Sequence, residues 1–320
     1  MNTPLKIAAF AAALAAAFGT AYGVGGAVDP IGTPSKSPAH TGHEAARTPE
    51  KEAGPGEGGD EEPPGGLQIS ENGYSLDLET PRIPAAKRSG LRFVVRDDTG
   101  RIVTAYQREH GKELHLILAS QDLATYQHLH PTRSPDGTWS IDARLPAAGG
   151  YRLFADFTPA AKGAKNLTLG ADLAVSGNYR PAPLPPPATV AETGDYSVTL
   201  KGELRPGVAG RVDLEVTKNG RPVTDLEPYL EAYGHLVALR SGDLAYLHVH
   251  PNGAPGDGKT KPGPTVSFTA TAPSSGSYRF FLDFKHQGKV RTASFTVEAG
   301  HASPDGTAST APASPAEHEH

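Results

Sequence analysis

Thirteen histidines occur in the chain, and six of them recur at one spacing. The stretch His115-Leu-Ile-Leu-Ala-Ser-Gln-Asp-Leu-Ala-Thr-Tyr-Gln-His-Leu-His-Pro131 returns 120 residues later as His235-Leu-Val-Ala-Leu-Arg-Ser-Gly-Asp-Leu-Ala-Tyr-Leu-His-Val-His-Pro251. Neutral imidazole offers a lone pair that suits Cu(II), Zn(II) and Ni(II). A lone histidine in a strand is more often a half-buried side chain bonded to backbone or water. Recurrence of the same three positions in a second copy favours metal instead. Asp156 and Asp283 hold equivalent places before a Phe. Each is a candidate fourth ligand, a partner that holds a His ring through its second nitrogen, or a loop cap. The candidate metal residues are therefore His115, His128, His130 and Asp156 in the first copy. In the second they are His235, His248, His250 and Asp283.

Each copy reads as a β-hairpin: two short runs of strand formers broken at Gln121-Asp122 or Ser241-Gly242. With a two-residue loop at those dipeptides, His115 faces His128 and His235 faces His248, in non-hydrogen-bonded pairs with Cα atoms about 4.5 Å apart. His130 and His250 lie two residues further on and share that face. In the second copy Ala245, Leu247 and Val249 form the apolar face. Tyr246, His248 and His250 then point away from the core, on the module surface. A one-residue slip would separate each facing pair.

Composition narrows the chemistry. The net charge is −5 with no basic stripe, which argues against nucleic acid and anionic membrane as partners. There is no Cys, and the one Met is Met1, so thiolate and thioether sites and disulfides are excluded. Any metal site must be built from nitrogen and oxygen. With 37 Gly and 30 Pro, the chain suits strands, turns and linkers better than long helices.

Along the chain, Lys6 followed by an apolar stretch from Ile7 to Val28 predicts an export segment over 1–28. It is a signal peptide cleaved after Ala21-Tyr-Gly23, or a weak membrane anchor if retained. Residues 29–66, rich in Pro, Gly, Ser and Glu, predict a disordered linker. Residues 67–178 predict a first module with strands at Tyr74, Leu91, Arg101, Trp139, Gly149 and Leu167 as well as the hairpin. Residues 189–299 repeat that plan, with one Gly/Pro-rich insertion at 252–264. About seven strands in ~110 residues, with regular turns, predict an all-β fold of two tandem immunoglobulin-like β-sandwich modules. Tyr151, in a Gly-x-Tyr strand opening, fits the tyrosine corner of such domains. Between them, 179–188 contains Arg180-Pro-Ala-Pro-Leu-Pro-Pro-Pro187, a polyproline spacer expected to hold the modules some 20 Å apart at ~3.1 Å per residue. Residues 300–320 predict a disordered tail whose terminal histidines scavenge metal loosely at most.

No catalytic apparatus stands out. Neither G-x-S-x-G nor a phosphate-cradling G-x-x-x-x-G-K-[ST] occurs. A hydrolytic zinc site needs a general base, and Glu is absent from the second-copy stretch 235–251. The expectation is a binder and not an enzyme.

The pattern His115-Leu-Ile-x5-Leu-x-x-x-Gln-His-Leu-His-Pro131, then Asp136-Gly-x-Trp139, then Gly149-x-Tyr-Arg-Leu-Phe-Ala-Asp-Phe157, resembles a family of exported actinobacterial proteins. Glu227-Pro-Tyr-Leu-Glu-Ala-Tyr-Gly-His-Leu-Val-Ala-Leu-Arg240 and Tyr246-Leu-His-Val-His-Pro251 carry the same resemblance, which covers about 70–299. Its members go by heavy-metal-binding-domain or secreted-protein names. They are similar to immunoglobulin-like modules associated with copper handling. Many have Met directly before the first His, where this chain has Leu114, which argues against Cu(I) transfer. The resulting expectation is an extracytoplasmic metal binder, secreted or membrane-anchored. It would carry a divalent transition metal, copper first and zinc as the alternative, on a His-rich surface site of each module. Buffering or delivery would be its role, with an envelope protein as a candidate partner and membrane contact only through an uncleaved N-terminal segment. The alternative is a structural or adhesive immunoglobulin-like protein without metal, and after it a metal-dependent hydrolase.

Overall fold

The computed structural model describes residues 64–300 apart from His248. The expectations for 1–63, for 301–320 and for His248 lie outside the described residues. Those described are all β, and no helix among them is long and apolar enough to cross a membrane.

In the first module the strands are β1 (Ser70–Glu71), β2 (Tyr74–Leu78), β3 (Arg82–Pro84), β4 (Ser89–Arg96) and β5 (His115–Ser120). They continue as β6 (Tyr126–Leu129), β7 (Thr132–Arg133), β8 (Trp139–Ala143), β9 (Gly149–Phe157) and β10 (Leu167–Ser176). One sheet runs β1-β2-β4-β8-β7 and the other β3-β10-β9-β5-β6, with β3 parallel to β10. The second module has β11 (Val190–Thr193), β12 (Tyr196–Lys201), β13 (Gly210–Lys218), β14 (Arg221–Pro222) and β15 (His235–Arg240). Then come β16 (Tyr246–Leu247), β17 (Val249–Pro251), β18 (Thr265–Ala270), β19 (Gly276–His286) and β20 (Lys289–Ala299). Its sheets are β11-β12-β13-β18-β17, with β14 on β13, and β16-β15-β19-β20. Each module is thus a two-sheet sandwich around its own core, as the strand spacing predicts. Leu91, Phe93, Leu116, Trp139 and Tyr151 pack in the first core, and Leu214, Leu236, Phe268, Tyr278 and Phe280 in the second. Both have a tyrosine corner: Tyr151 Oη donates to Ala147 O at 3.0 Å, and Tyr278 Oη to Ser274 O at 2.7 Å. The stretch expected as a strand from Arg101 makes only an isolated bridge, Ile102 to Arg96, because Asp97 draws the chain into a tight turn.

The hairpin register differs from the expected one by two residues. Leu116 pairs with Leu129 and Ile117 with His128, and Ala238 pairs with Leu247. The reason lies in the loop. Ser120 N bonds Thr125 O, and the Asp122 carboxylate takes Ser120 Oγ and Ala124 N, so Gln121 to Ala124 form a four-residue loop. A shift of two keeps side-chain parity, so His115, His128 and His130 still share a face.

That face is not on the surface. The two modules pack against each other through it, and both fall in one compact unit. Ile117, Ala119, Leu123 and Phe154 of the first meet Val237, Leu239, Leu244 and Phe281 of the second in a third apolar cluster. Tyr126 stacks on Phe281 with centroids 4.1 Å apart, and Tyr246 lies against Phe154. β5 is therefore buried along its whole length, one side in its own core and the other in the interface. The Pro-rich segment does not hold the modules apart. Ala182 N donates to the Asp122 carboxylate at 2.9 Å, and Leu184 packs into the shared cluster. Residues 65 and 66, expected as part of the linker, are also held between the modules. Tyr246 N donates to Gly65 O, Gly66 N to Thr168 O, and Arg152 Nε to Gly66 O at 2.6 Å.

Candidate metal centre

His115 opens β5 and lies across from Asp156 on β9, while His128 lies near the end of β6. After β6 the chain leaves this sheet and joins the other as β7 on β8. His130 and Pro131 form the corner. Proline lacks an N–H and suits a break between two ladders. Free of either ladder, His130 turns back over the two other rings. The ring centroids are 5.3 Å (His115–His128), 5.2 Å (His115–His130) and 4.9 Å (His128–His130) apart. One potential ligand atom from each lies within 4.8 Å of the others.

Hydrogen bonds fix the tautomers. His115 Nε2 contacts the carbonyl of Glu109 at 3.1 Å, an acceptor only, so this nitrogen carries the proton. Burial, reinforced by the neighbouring His128, pushes the His115 pKa down to about 3, so its ring is neutral at pH 7 and Nδ1 is a lone pair. His128 Nδ1 contacts Asp283 Oδ2 at 3.1 Å, within a deeply buried pair, and donates to it. Its Nε2 then stands 3.1 Å from His115 Nδ1. With His115 Nδ1 a lone pair, a proton or a metal ion must lie between the two nitrogens. His130 Nε2 is buried and has no hydrogen-bond partner. Burial, with His128 and Lys112 nearby, pushes the His130 pKa down to about 3 as well. A metal about 2.0–2.1 Å from each ring nitrogen in tetrahedral geometry would set nitrogens roughly 3.3 Å and centroids roughly 5 Å apart. The three ring centroids already have that spacing, and so do the facing nitrogens of His115 and His128.

Asp283 belongs to the second module, so the carboxylate serving His128 comes from across the interface. Thr292 Oγ1 and Tyr126 Oη also donate to it. Asp156, the equivalent residue of the first module, instead accepts from Asn166 Nδ2 at 2.7 Å, and burial pushes its pKa up to about 6. Asn166 also bonds Glu109, and Thr158 Oγ1 donates to the same carboxylate.

Among the described residues, the second copy does not repeat the first site. His235 on β15 lies beside the first module's trio, 6.4 Å from His115 and 6.0 Å from His128 between ring centroids. Its strand partner Asp283 is engaged by His128. The chain changes sheets earlier here: β17 pairs with β18, which fixes His250 opposite Thr269, exposed and in the other sheet. Among the described residues, His235 and His250 line one cleft from different sheets, but with Asp283 turned to His128 they form no trio like the first. His286 is occupied elsewhere, by Tyr196 and Asp225.

Two turns escaped the sequence reading. Before each histidine strand the chain makes a two-residue turn, at His110-Gly111 and at Leu230-Glu231, with positive φ at all four residues. Leu and Glu are poorly suited to that conformation, and no Asn-Gly or Asp-Gly signal marks the second turn. The turn carbonyls fix the imidazoles: Glu109 O takes His115, and Tyr229 O and Leu230 O take His235. The turn side chains reach across the interface, His110 to 5.2 Å from His235 and Tyr229 to 6.2 Å from His130. A cleft of about 250 Å³ opens beside the rings, lined among others by Glu109, His110, His115, His128, Asp156 and His235.

Against known families, residues 69–171 and 189–301 each match the domain of unknown function DUF8832. The chain belongs to that family. The two matches fall on the two sandwiches, and the family's description assigns no metal. No curated protein matches the chain. Among solved structures, the chain is similar to FdeC, an Escherichia coli adhesin, at 15% identity over 73% of this chain and 65% of that one, with a TM-score of 0.23. It is similar also to InvD of Yersinia pseudotuberculosis, at 12% identity over 76% and 62%, with a TM-score of 0.22. The chain thus spans less than two-thirds of the length of either. The fold rests on the strand pairing and not on these likenesses.

Proposed function

We propose that this DUF8832 protein binds a divalent transition-metal ion through His115 Nδ1, His128 Nε2 and His130 Nε2. The observation that carries the reading is the convergence of three ring nitrogens, two facing each other at 3.1 Å and the third buried without a partner. The supporting arrangement is typical of metal-bound imidazole: each of His115 and His128 gives its other N–H to a carbonyl or carboxylate. An all-nitrogen site without thiolate suits copper(II) first and zinc second. The Ile7–Val28 export segment supports an extracytoplasmic location, secreted or anchored, and buffering or delivery as the role. Binding is the proposed activity; among the described residues no side chain beside the trio is set up as a nucleophile with its base.

One observation favours the second reading, an immunoglobulin-like structural or adhesive protein. The chain from Glu109 through His115, His128 and Asp283 to Thr292 joins the modules by hydrogen bonds alone. Calorimetric titration of Cu(II) and Zn(II) into the full chain and into a His128→Ala, His130→Ala variant separates the two. The proposal expects tight binding that the variant loses; equal affinity in both would leave the structural reading in place.

A further inference from the structure

We infer that the site takes a single metal ion per chain and that His235, from the second module, supplies its fourth ligand, so that the ion cross-links the two sandwiches. This rests on the proposed trio and extends it. His235 Nε2 contacts Tyr229 O at 3.1 Å and Leu230 O at 3.0 Å. Both are acceptors only, so Nε2 carries the proton and Nδ1 carries the lone pair. His115 is held the same way by Glu109 O, and in that ring Nδ1 is the nitrogen aimed into the trio. The two rings lie 28° from parallel. At 6.4 Å from His115 and 6.0 Å from His128, the His235 ring is roughly 1 Å beyond the ~5 Å spacing that a tetrahedral imidazole set would give it to those two rings. His115, His128 and His235 line the same cleft, so the space to close that gap is present.

Among the described residues, His235 has no ligand trio of its own module, although His250 lines the same cleft. His250 is held in the opposite sheet, and Asp283 is turned to His128. Asp283 and His235 together make the second module supply both a ligand and the carboxylate behind another ligand. Three imidazoles on one sandwich and one on the other then enclose the ion, and a metal bound this way draws the interface closed.

The test is electron paramagnetic resonance of the full chain with Cu(II), read for bound nitrogens, alongside competitive titration. The wild type should take one tight equivalent, beyond loose binding, with four coordinated nitrogens. His235→Gln, whose amide can still donate to Tyr229 O, should keep the stoichiometry. It should show three nitrogens and lose affinity tenfold or more, while His250→Gln changes neither. An unchanged spectrum and affinity in His235→Gln would overturn the inference and leave the trio standing. So would a second equivalent of similar affinity in the wild type that His235→Gln removes. Should His235→Gln fail to fold, the wild-type count decides, and three nitrogens contradict the inference. Failure of the trio itself shows separately, as tight binding that survives in His128→Gln.

Discussion

His128 is the pivot of the site, because one ring nitrogen faces His115 and the other faces a carboxylate of the opposite module. Asp283→Asn keeps the shape and the bond to Thr292 but removes the charge that raises the basicity of His128. Metal affinity should fall roughly 10- to 100-fold with the fold intact, measured by competition against a chelator of known affinity. Protonation gives a second expectation, for the metal-free protein. His115 and His130 are held down to about 3 and His235, by burial and by His128, to about 4, below the ~6.5 of an unfolded chain. The unfolded state then binds more protons, so stability is full above about pH 6.5 and is lost as pH falls towards 4. Asp156, raised to about 6, works in the opposite direction over part of that window, one group against three. The melting temperature of chelator-treated protein should therefore drop between pH 7 and pH 4.5; a constant value would contradict the neutral buried rings. The imidazole types and their parity were legible in the sequence. The partnership of His128 with Asp283 was not, since nothing in either copy says that a carboxylate will serve the other copy's ring.

At the scale of elements, the hairpin, its apolar face and the tyrosine corners follow from alternation and turn residues. The loop length does not, because Asp122 and Asp243 close it by side-chain bonds that the Gln121-Asp122 and Ser241-Gly242 dipeptides do not announce. The sheet change after each hairpin was equally hidden, and it separates the fates of His130 and His250. The strap formed by residues 65 and 66 meets β10 closely at Gly170, where an added Cβ would fall 2.0 Å from Gly66 O and 2.7 Å from Arg152 Nε. Gly170→Ala must push the segment around Gly66 off the sheet, at a cost of about 1–3 kcal/mol. Thermal denaturation and limited proteolysis check this: the variant should melt earlier and be cut near residues 64–67, and parental behaviour in both would show that the strap is not held there.

Across the whole molecule, the unbroken apolar runs Leu116-Ile-Leu-Ala and Leu236-Val-Ala-Leu carried a signal that alternation alone overlooks, since a strand covered on both faces reads as continuous. The Pro-rich segment read as a spacer because composition gives stiffness and reach but not the surface it lies on. Phe281 is a buried apolar anchor of the interface, stacked on Tyr126. Phe281→Ala should cost about 3–5 kcal/mol, and in calorimetry it should broaden or split a single unfolding transition as the modules come apart. A variant that still melts as one sharp peak at the parental temperature would show that the sandwiches do not stabilise each other. The central claim, a metal held where the modules meet, is tested most directly by anomalous diffraction from crystals of the full chain loaded with one equivalent of Zn(II). The account predicts one strong peak about 2.0–2.1 Å from His115 Nδ1, His128 Nε2 and His130 Nε2. A strong peak elsewhere, with none between these three rings, would contradict it.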